Sequence, residues 1–261
     1  FNVPTFQRPY SWTTDEAGQL LDDLLLAFED SDGGRRGGGL FLGPIVLLQS
    51  QGPDRLVALN DRRDDAACTL QIIDGQQRLA TLTVLGCVLR DLARAEKPNA
   101  LPGIEALIQC QRARGESDQF RLQMRGAAQR SMAALIQTPG ATLQDAPVGD
   151  YTEAETLLIG ARDHFLDVLN GRDGAEMERL AHFVMHACDI SAAVTNDVDR
   201  AHRIFCVLNN RGRPLKRCDI ICAQLMDGIA GDNLSRLHGE LEQLSDRLGS
   251  DFDMLFSHIR S

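Results

Sequence analysis

An acid, a glycine, two amides and an arginine stand together as Asp74, Gly75, Gln76, Gln77 and Arg78, inside the run "IIDGQQRLATL". A strand turning into a helix leaves backbone N–H groups pointing outward, and the helix dipole makes that end attractive to anions. Glycine at 75 lets another group approach the backbone closely. Arg78 falls in the first helical turn, where a lone cation costs roughly 0.3–1 kcal/mol. A bound phosphate reverses that sign, because a guanidinium forks onto it in a charge-assisted pair. Gln76 and Gln77 are candidates to orient water or read a base or sugar. Asp74 is a candidate to hold a ribose hydroxyl or a magnesium ion. A purely structural reading stands beside this one: Asp74 caps the helix, Gln77 answers it in a capping box, and Arg78 meets a surface acid.

Two other segments collect chemistry. "VPTFQRPYSW" holds Gln7, Arg8, Tyr10 and Trp12, with Pro4 and Pro9 favouring extended backbone. An arginine beside aromatics and an amide can stack on and hydrogen-bond a base or sugar; the alternative is a hydrophobic staple that anchors the following helix. "DRAHRIFCVLNNRGRPLKRCD" brings Arg200, Arg203, Arg211, Arg213, Lys216 and Arg217 into one stretch of an acidic chain. That local positive field suits an anionic ligand. Part of it has a simpler cause, since a cation and a glycine, Arg211 and Gly212, are favoured at a helix C-terminus. His182 and His186 are spaced as a helical metal pair, but Phe183 stands where a zincin needs glutamate, so a structural role is expected.

The background to these clusters is ordinary: 261 residues, 43% hydrophobic and 25% charged. A net charge of −10 argues against DNA binding by the whole surface, so any nucleic-acid contact must be local or supplied elsewhere. Seven scattered cysteines suit reduced thiols and a cytoplasmic protein better than a disulfide framework. No run approaches the roughly 20 apolar residues of a membrane span. Opening at Phe1 inside a motif, the chain is expected to be part of a longer protein.

The elements that must position these residues follow from periodicity. Thr13 and Glu16 form a capping-box pattern ahead of a helix whose apolar face is Leu20, Leu21, Leu24, Leu25 and Phe28. "SDGGRRGGG" reads as a flexible surface connection. "LFLGPIVLLQS", "RLVALN" and "CTLQII" read as strands, the last delivering Asp74. From Gln76 a helix should reach about Ala95 with Leu79, Leu82, Leu85, Leu89 and Leu92 on one side, ending before Pro98. Thr152 and Glu155 predict a second capping box, with a stop at Gly171. "GAEMERLAHFVMHAC" is a further helix, "DISAAVT" a strand returning to the sheet, and Asn196 the cap of the helix after it. Leucines from Leu234 to Leu248 mark a bundle-type seam. The expected fold class is α+β: a mixed sheet-and-helix core over 1–98 and a mainly helical lobe over 99–261, with 189–228 packing back on the core.

In this order the segments resemble the N-terminal domain family of GmrSD-type modification-dependent restriction systems, long catalogued as a domain of unknown function. The matching motifs are the Gln-Arg opening from Pro4 to Trp12, "LLDD" at 20–23, "FLGPIV" at 41–46, "IDGQQRLATL" at 73–82, and the Leu-Asn-x-Arg-Gly stretch from Phe205 to Asp219. The chain departs from the family's usual pattern at Phe6, where tyrosine is frequent, and at Lys216, where a helix-capping serine or threonine is common. The resemblance implies a ParB/sulfiredoxin-like core that binds and hydrolyses a nucleoside triphosphate. It implies coupling to restriction of modified phage DNA, cut by a separate C-terminal HNH-type nuclease domain or subunit. By position, Asp74, Gly75, Gln76, Gln77 and Arg78 inherit the nucleotide site, Gln7 and Arg8 a sensing part, and Asn209 and Arg211 a supporting one. The rival expectation is a non-catalytic module reading modified DNA through Gln7, Arg8, Tyr10, Arg203 and Arg213. A ParB-like nuclease is the third.

Overall fold

The computed structural model describes residues 1–4, 7–35, 37–51, 69–96, 102–110, 119–198, 200–201, 204–205, 240, 244 and 247–248. The second expected strand, residues 55–60, lies outside them, as does most of the leucine seam. The architecture is α+β, as expected. The chain divides into two compact units: Phe1–Pro9 with Ile45–Asp74 and Ala192–Ser261, and Tyr10–Pro44 with Gly75–Ser191. They cut the chain differently from a boundary at residue 98, because the long helix after Asp74 is packed among the helices that follow it.

The first unit holds most of a three-stranded sheet ordered β2–β1–β5: residues 45–51 of β1 (Leu40–Gln51), all of β2 (Thr69–Asp74) and residues 192–195 of β5 (Cys188–Thr195). β1 and β2 run antiparallel, with Val46 opposite Asp74, Leu47 opposite Ile72 and Leu48 opposite Gln71. Residues 45–48 are all buried. Successive side chains of a strand face opposite sides, so both faces of β1 are covered. On one of them Val46, Leu48 and Ile73 pack with Ala201, Ile204 and Phe205 from the helical turn after β5. That turn is capped by Asp197, whose carboxylate accepts the Arg200 N–H at 2.9 Å, one residue beyond the expected Asn196. The N-terminal strip adds a short parallel bridge: Asn2 N–H donates to Leu70 O at 2.8 Å, and Ile72 N–H to Asn2 O at 2.9 Å.

The second unit is helical. α1 (Thr14–Asp30) and α5 (Glu153–Leu169) both begin with complete capping boxes, at Thr13–Glu16 and Thr152–Glu155. α1 packs on α5 and α6 (Gly174–His186), burying Leu21, Leu24, Leu25 and Phe28, the last in edge contact with Phe183. Burying each such side chain fully is worth about 1.5–3 kcal/mol. Leu20, expected on that face, is only half-buried. The "SDGGRRGGG" segment starts as a set turn, with Ser31 Oγ donating to Phe28 O and accepting Gly34 N–H.

α2 (Gln76–Glu96) is the central element, touching α3 (Pro102–Ile108), α5 and α6. Its buried positions include Ala80, Val84, Leu85, Cys87, Val88, Leu89 and Ala93, while Leu79, Leu82 and Leu92 are half-buried. The expected single leucine stripe is therefore corrected to burial around most of the helix, because neighbours lie on several sides. Two small features escaped sequence reading. One is a two-residue pairing of β3 (Gln109–Cys110) with β4 (Gln119–Phe120). The other is a π-helical turn, Ala133–Gln137, that continues α4 (Gly126–Met132). Among the described residues no helix is long and apolar enough to cross a membrane.

Candidate functional site

β2 ends at Asp74, a half-buried residue, and Gly75 joins it covalently to α2. Gly75 has φ 93°, in the region that favours glycine, and its carbonyl accepts Leu79 N–H at 3.0 Å to start the helix. Gly75, not Asp74, thus occupies the cap position.

Gln76 and Gln77 are both buried at the head of α2. Gln77 is held twice. Its Oε1 accepts Ser11 N–H at 2.8 Å, and its backbone carbonyl accepts the Thr81 hydroxyl at 2.9 Å. Thr81 has one proton and gives it to that carbonyl, so the 2.8 Å contact between Tyr10 and Thr81 hydroxyls has Tyr10 as donor. Tyr10 is 1% exposed, and burial pushes its pKa up to about 12, so the phenol stays neutral. This corrects the expectation of Tyr10 as a DNA contact: the ring belongs to the core and the hydroxyl to α2.

Arg78 is half-buried. Helical side chains lean toward the N-terminus, and Arg78 accordingly reaches back to β1, where its Nη1 donates to Pro44 O at 3.0 Å. Its partner in this contact is a neutral backbone carbonyl. The guanidinium also lies against Gly43.

In the first unit, Gln7 Nε2 donates to Ile73 O at 2.6 Å, which ties the Gln-Arg segment to the residue of β2 just before Asp74. Gln7 and Arg8 are both half-buried. Asn209, Arg211, Arg203 and Arg213 lie outside the described residues. His182 and His186 are exposed, with ring centroids 4.4 Å apart. Among the described residues no three metal-binding side chains come together. Ser11, Gly43, Pro44 and Thr81 were missed as contributors to this region. Only Gly43 carried a signal, a glycine within an otherwise apolar strand.

Residues 1–226 match the family model described as GmrSD restriction endonuclease, N-terminal domain. A search of curated proteins finds no match.

Proposed function

The chain belongs to the GmrSD restriction endonuclease N-terminal domain family, a component of restriction systems, and from that premise we propose that it binds and hydrolyses a nucleoside triphosphate. The observation that carries the reading is the setting of Arg78. A guanidinium held by the neutral Pro44 carbonyl sits at the electropositive tip of a helix opened by a glycine. A phosphate at this place could accept from the first-turn N–H groups and from the guanidinium alike.

In this reading Arg78 and the first-turn amides of α2 hold the phosphates. Gly75 lets the phosphate approach the backbone, since no Cβ intrudes. Gln76 or Gln77 orients the attacking water, as positioning and charge neutralisation carry phosphoryl transfer generally. Gln7, Arg8, Asn209 and Arg211 supply further nucleotide contacts. Magnesium characteristically takes one or two carboxylates and completes its shell with phosphate oxygens and water. Asp74, the covalent neighbour of Gly75, fits that sparse donor set. Hydrolysis would license cutting of modified DNA by an HNH-type nuclease domain or subunit.

The test is a thermal-shift panel of ATP, GTP, CTP and UTP with and without magnesium, since a ligand bound by the native state alone raises the midpoint. Calorimetry on Arg78→Ala follows. Loss of a charge-assisted contact worth about 1.5–3 kcal/mol predicts affinity weaker by roughly 10- to 100-fold. Unchanged affinity in a variant with native circular dichroism would refute the assignment.

A further inference from the structure

The contact between Arg78 and β1 has a second part. An ideal Cβ built on Gly43 would lie 3.1 Å from Nη2, 3.2 Å from Cζ and 3.2 Å from Nη1 of Arg78. Near-equal distances to these three atoms place that position over the face of the guanidinium plane, not at its edge. The edge is engaged separately, through Nη1 and the Pro44 carbonyl at 3.0 Å. Gly43 has φ 99°, so the backbone here takes a course that side-chain-bearing residues rarely adopt. Two consecutive residues of β1 therefore fix both the tilt and the roll of one planar cation.

The geometry points to Gly43 as the positioning residue for Arg78: its missing Cβ is the space in which the guanidinium lies flat. Pro44 complements it with an acceptor and no N–H of its own to compete. A planar fork meets an anion well only along particular directions, so fixing the plane fixes where a phosphate is received. This inference rests on the phosphate-binding reading of the site for its functional consequence. Its structural content, a guanidinium seated on a bare backbone, does not.

Gly43→Ala tests it, measured in the Arg78 protein and in an Arg78→Lys background. Lysine keeps a positive charge but has no plane to collide with the new methyl. Affinities for Mg-ATP and Mg-GTP are read by calorimetry, and thermal midpoints are read without nucleotide. At 3.1–3.2 Å the guanidinium must yield to the new methyl. A misplacement of ~1 Å can cost about 100-fold, so the smaller shift from Gly43→Ala should weaken nucleotide binding by roughly five- to tenfold with Arg78 present. In the lysine background the same change should cost less than about twofold, because the clash is gone. An equal penalty in both backgrounds would overturn the inference and assign the effect to backbone strain at φ 99°.

If the unsubstituted protein binds none of ATP, GTP, CTP and UTP, the phosphate reading fails, and the midpoints still decide the geometric claim. A larger drop in midpoint in the Arg78 background than in the lysine background upholds the seat; equal drops remove it. Should Gly43→Ala not fold, folding of the Gly43→Ala, Arg78→Lys double variant upholds the seat, and its failure to fold overturns it.

Discussion

Arg90 is fully enclosed in the middle of α2, and replacing it by methionine should be among the most damaging single changes in the protein. Its Nε donates to Asp91 at 2.7 Å, and its Nη groups donate to the carbonyls of Gln137 at 2.8 Å, Thr138 at 3.0 Å and Ile136 at 3.4 Å. Asp91 in turn accepts Gly140 N–H at 2.9 Å, Thr142 N–H at 3.2 Å and the Thr142 hydroxyl at 2.7 Å. Burial works against the Arg90 charge, but the Asp91 hydrogen bond and the nearby acids outweigh it and hold its pKa above the ordinary value. The two side chains thus pin the end of the π-helical turn and the loop after it to α2. Arg90→Met leaves Asp91 charged and without its countercharge, and takes the donor from three carbonyls. Breaking a buried pair on one side costs about 3–5 kcal/mol. At roughly 2–4 °C per kcal/mol for a chain of this size, the thermal midpoint should fall by about 6–20 °C. Guanidinium unfolding of Arg90→Met, Asp91→Asn and the double variant measures the coupling, which should reach about 0.5–3 kcal/mol. Arg94→Met is the control. Its bridge to Glu105 is 2.6 Å long, but the two side chains are 28% and 24% exposed, and such a pair is worth about 1 kcal/mol or less. A loss under about 1 kcal/mol in Arg90→Met, or strict additivity in the double variant, would refute this account of the network.

Two smaller effects follow from the same kind of accounting. Tyr10→Phe removes the buried donor to Thr81 while leaving Thr81 bonded to the Gln77 carbonyl, so urea unfolding should show a loss of about 0.5–1.5 kcal/mol; no loss would mean the hydroxyl pair is idle. Burial raises the Glu155 pKa, but hydrogen bonds from Ser131 and from the Thr152 amide and hydroxyl overcome this and hold it below its ordinary 4.5. A carboxylate depressed in the folded state contributes stability that is present above about 4.5 and lost as pH falls through the lower folded value. Glu155→Gln should therefore melt below the parent at neutral pH, with the two curves converging in acid; parallel curves would deny Glu155 that role.

What the sequence made legible was local. Both capping boxes lie within four consecutive residues, and their hydrogen bonds form as the pattern requires. The start of α2 at Gln76 and the delivery of Asp74 by a strand are likewise short-range facts, read from a change of period. The partners of those residues were not legible. Arg78 finds Pro44, Tyr10 finds Thr81, and Asp91 finds Thr142 across gaps that no spacing rule covers. Composition misled at α2 for a related reason. Leucines mark an apolar side, yet the helix is enclosed by neighbours that the sequence does not place, and alanines, valines and an arginine share its burial. Tyr10 was read as a recognition aromatic because its segment is rich in polar side chains. Its real setting depends on Thr81, a residue with no distinguishing context.

α2 gives these contacts a common purpose. Its first turn carries the candidate anion site, Thr81 and Gln77 fasten the strip at Tyr10 and Ser11, and Arg90 with Asp91 anchors the far half, about 18 Å further along at ~1.5 Å per residue. A binding constellation works only if its supporting groups are themselves locked, and here Gln77 is tied to the Ser11 N–H and Arg78 to the Pro44 carbonyl. The separation of the two ends makes the scheme decidable. Changes at Arg90 should alter how much protein is folded while leaving the nucleotide affinity of the folded fraction unchanged. Arg78→Ala should do the reverse. A variant at Arg90 that weakened binding as strongly as one at Arg78, at equal folded fraction, would mean that α2 transmits strain along its length instead of serving as a rigid support.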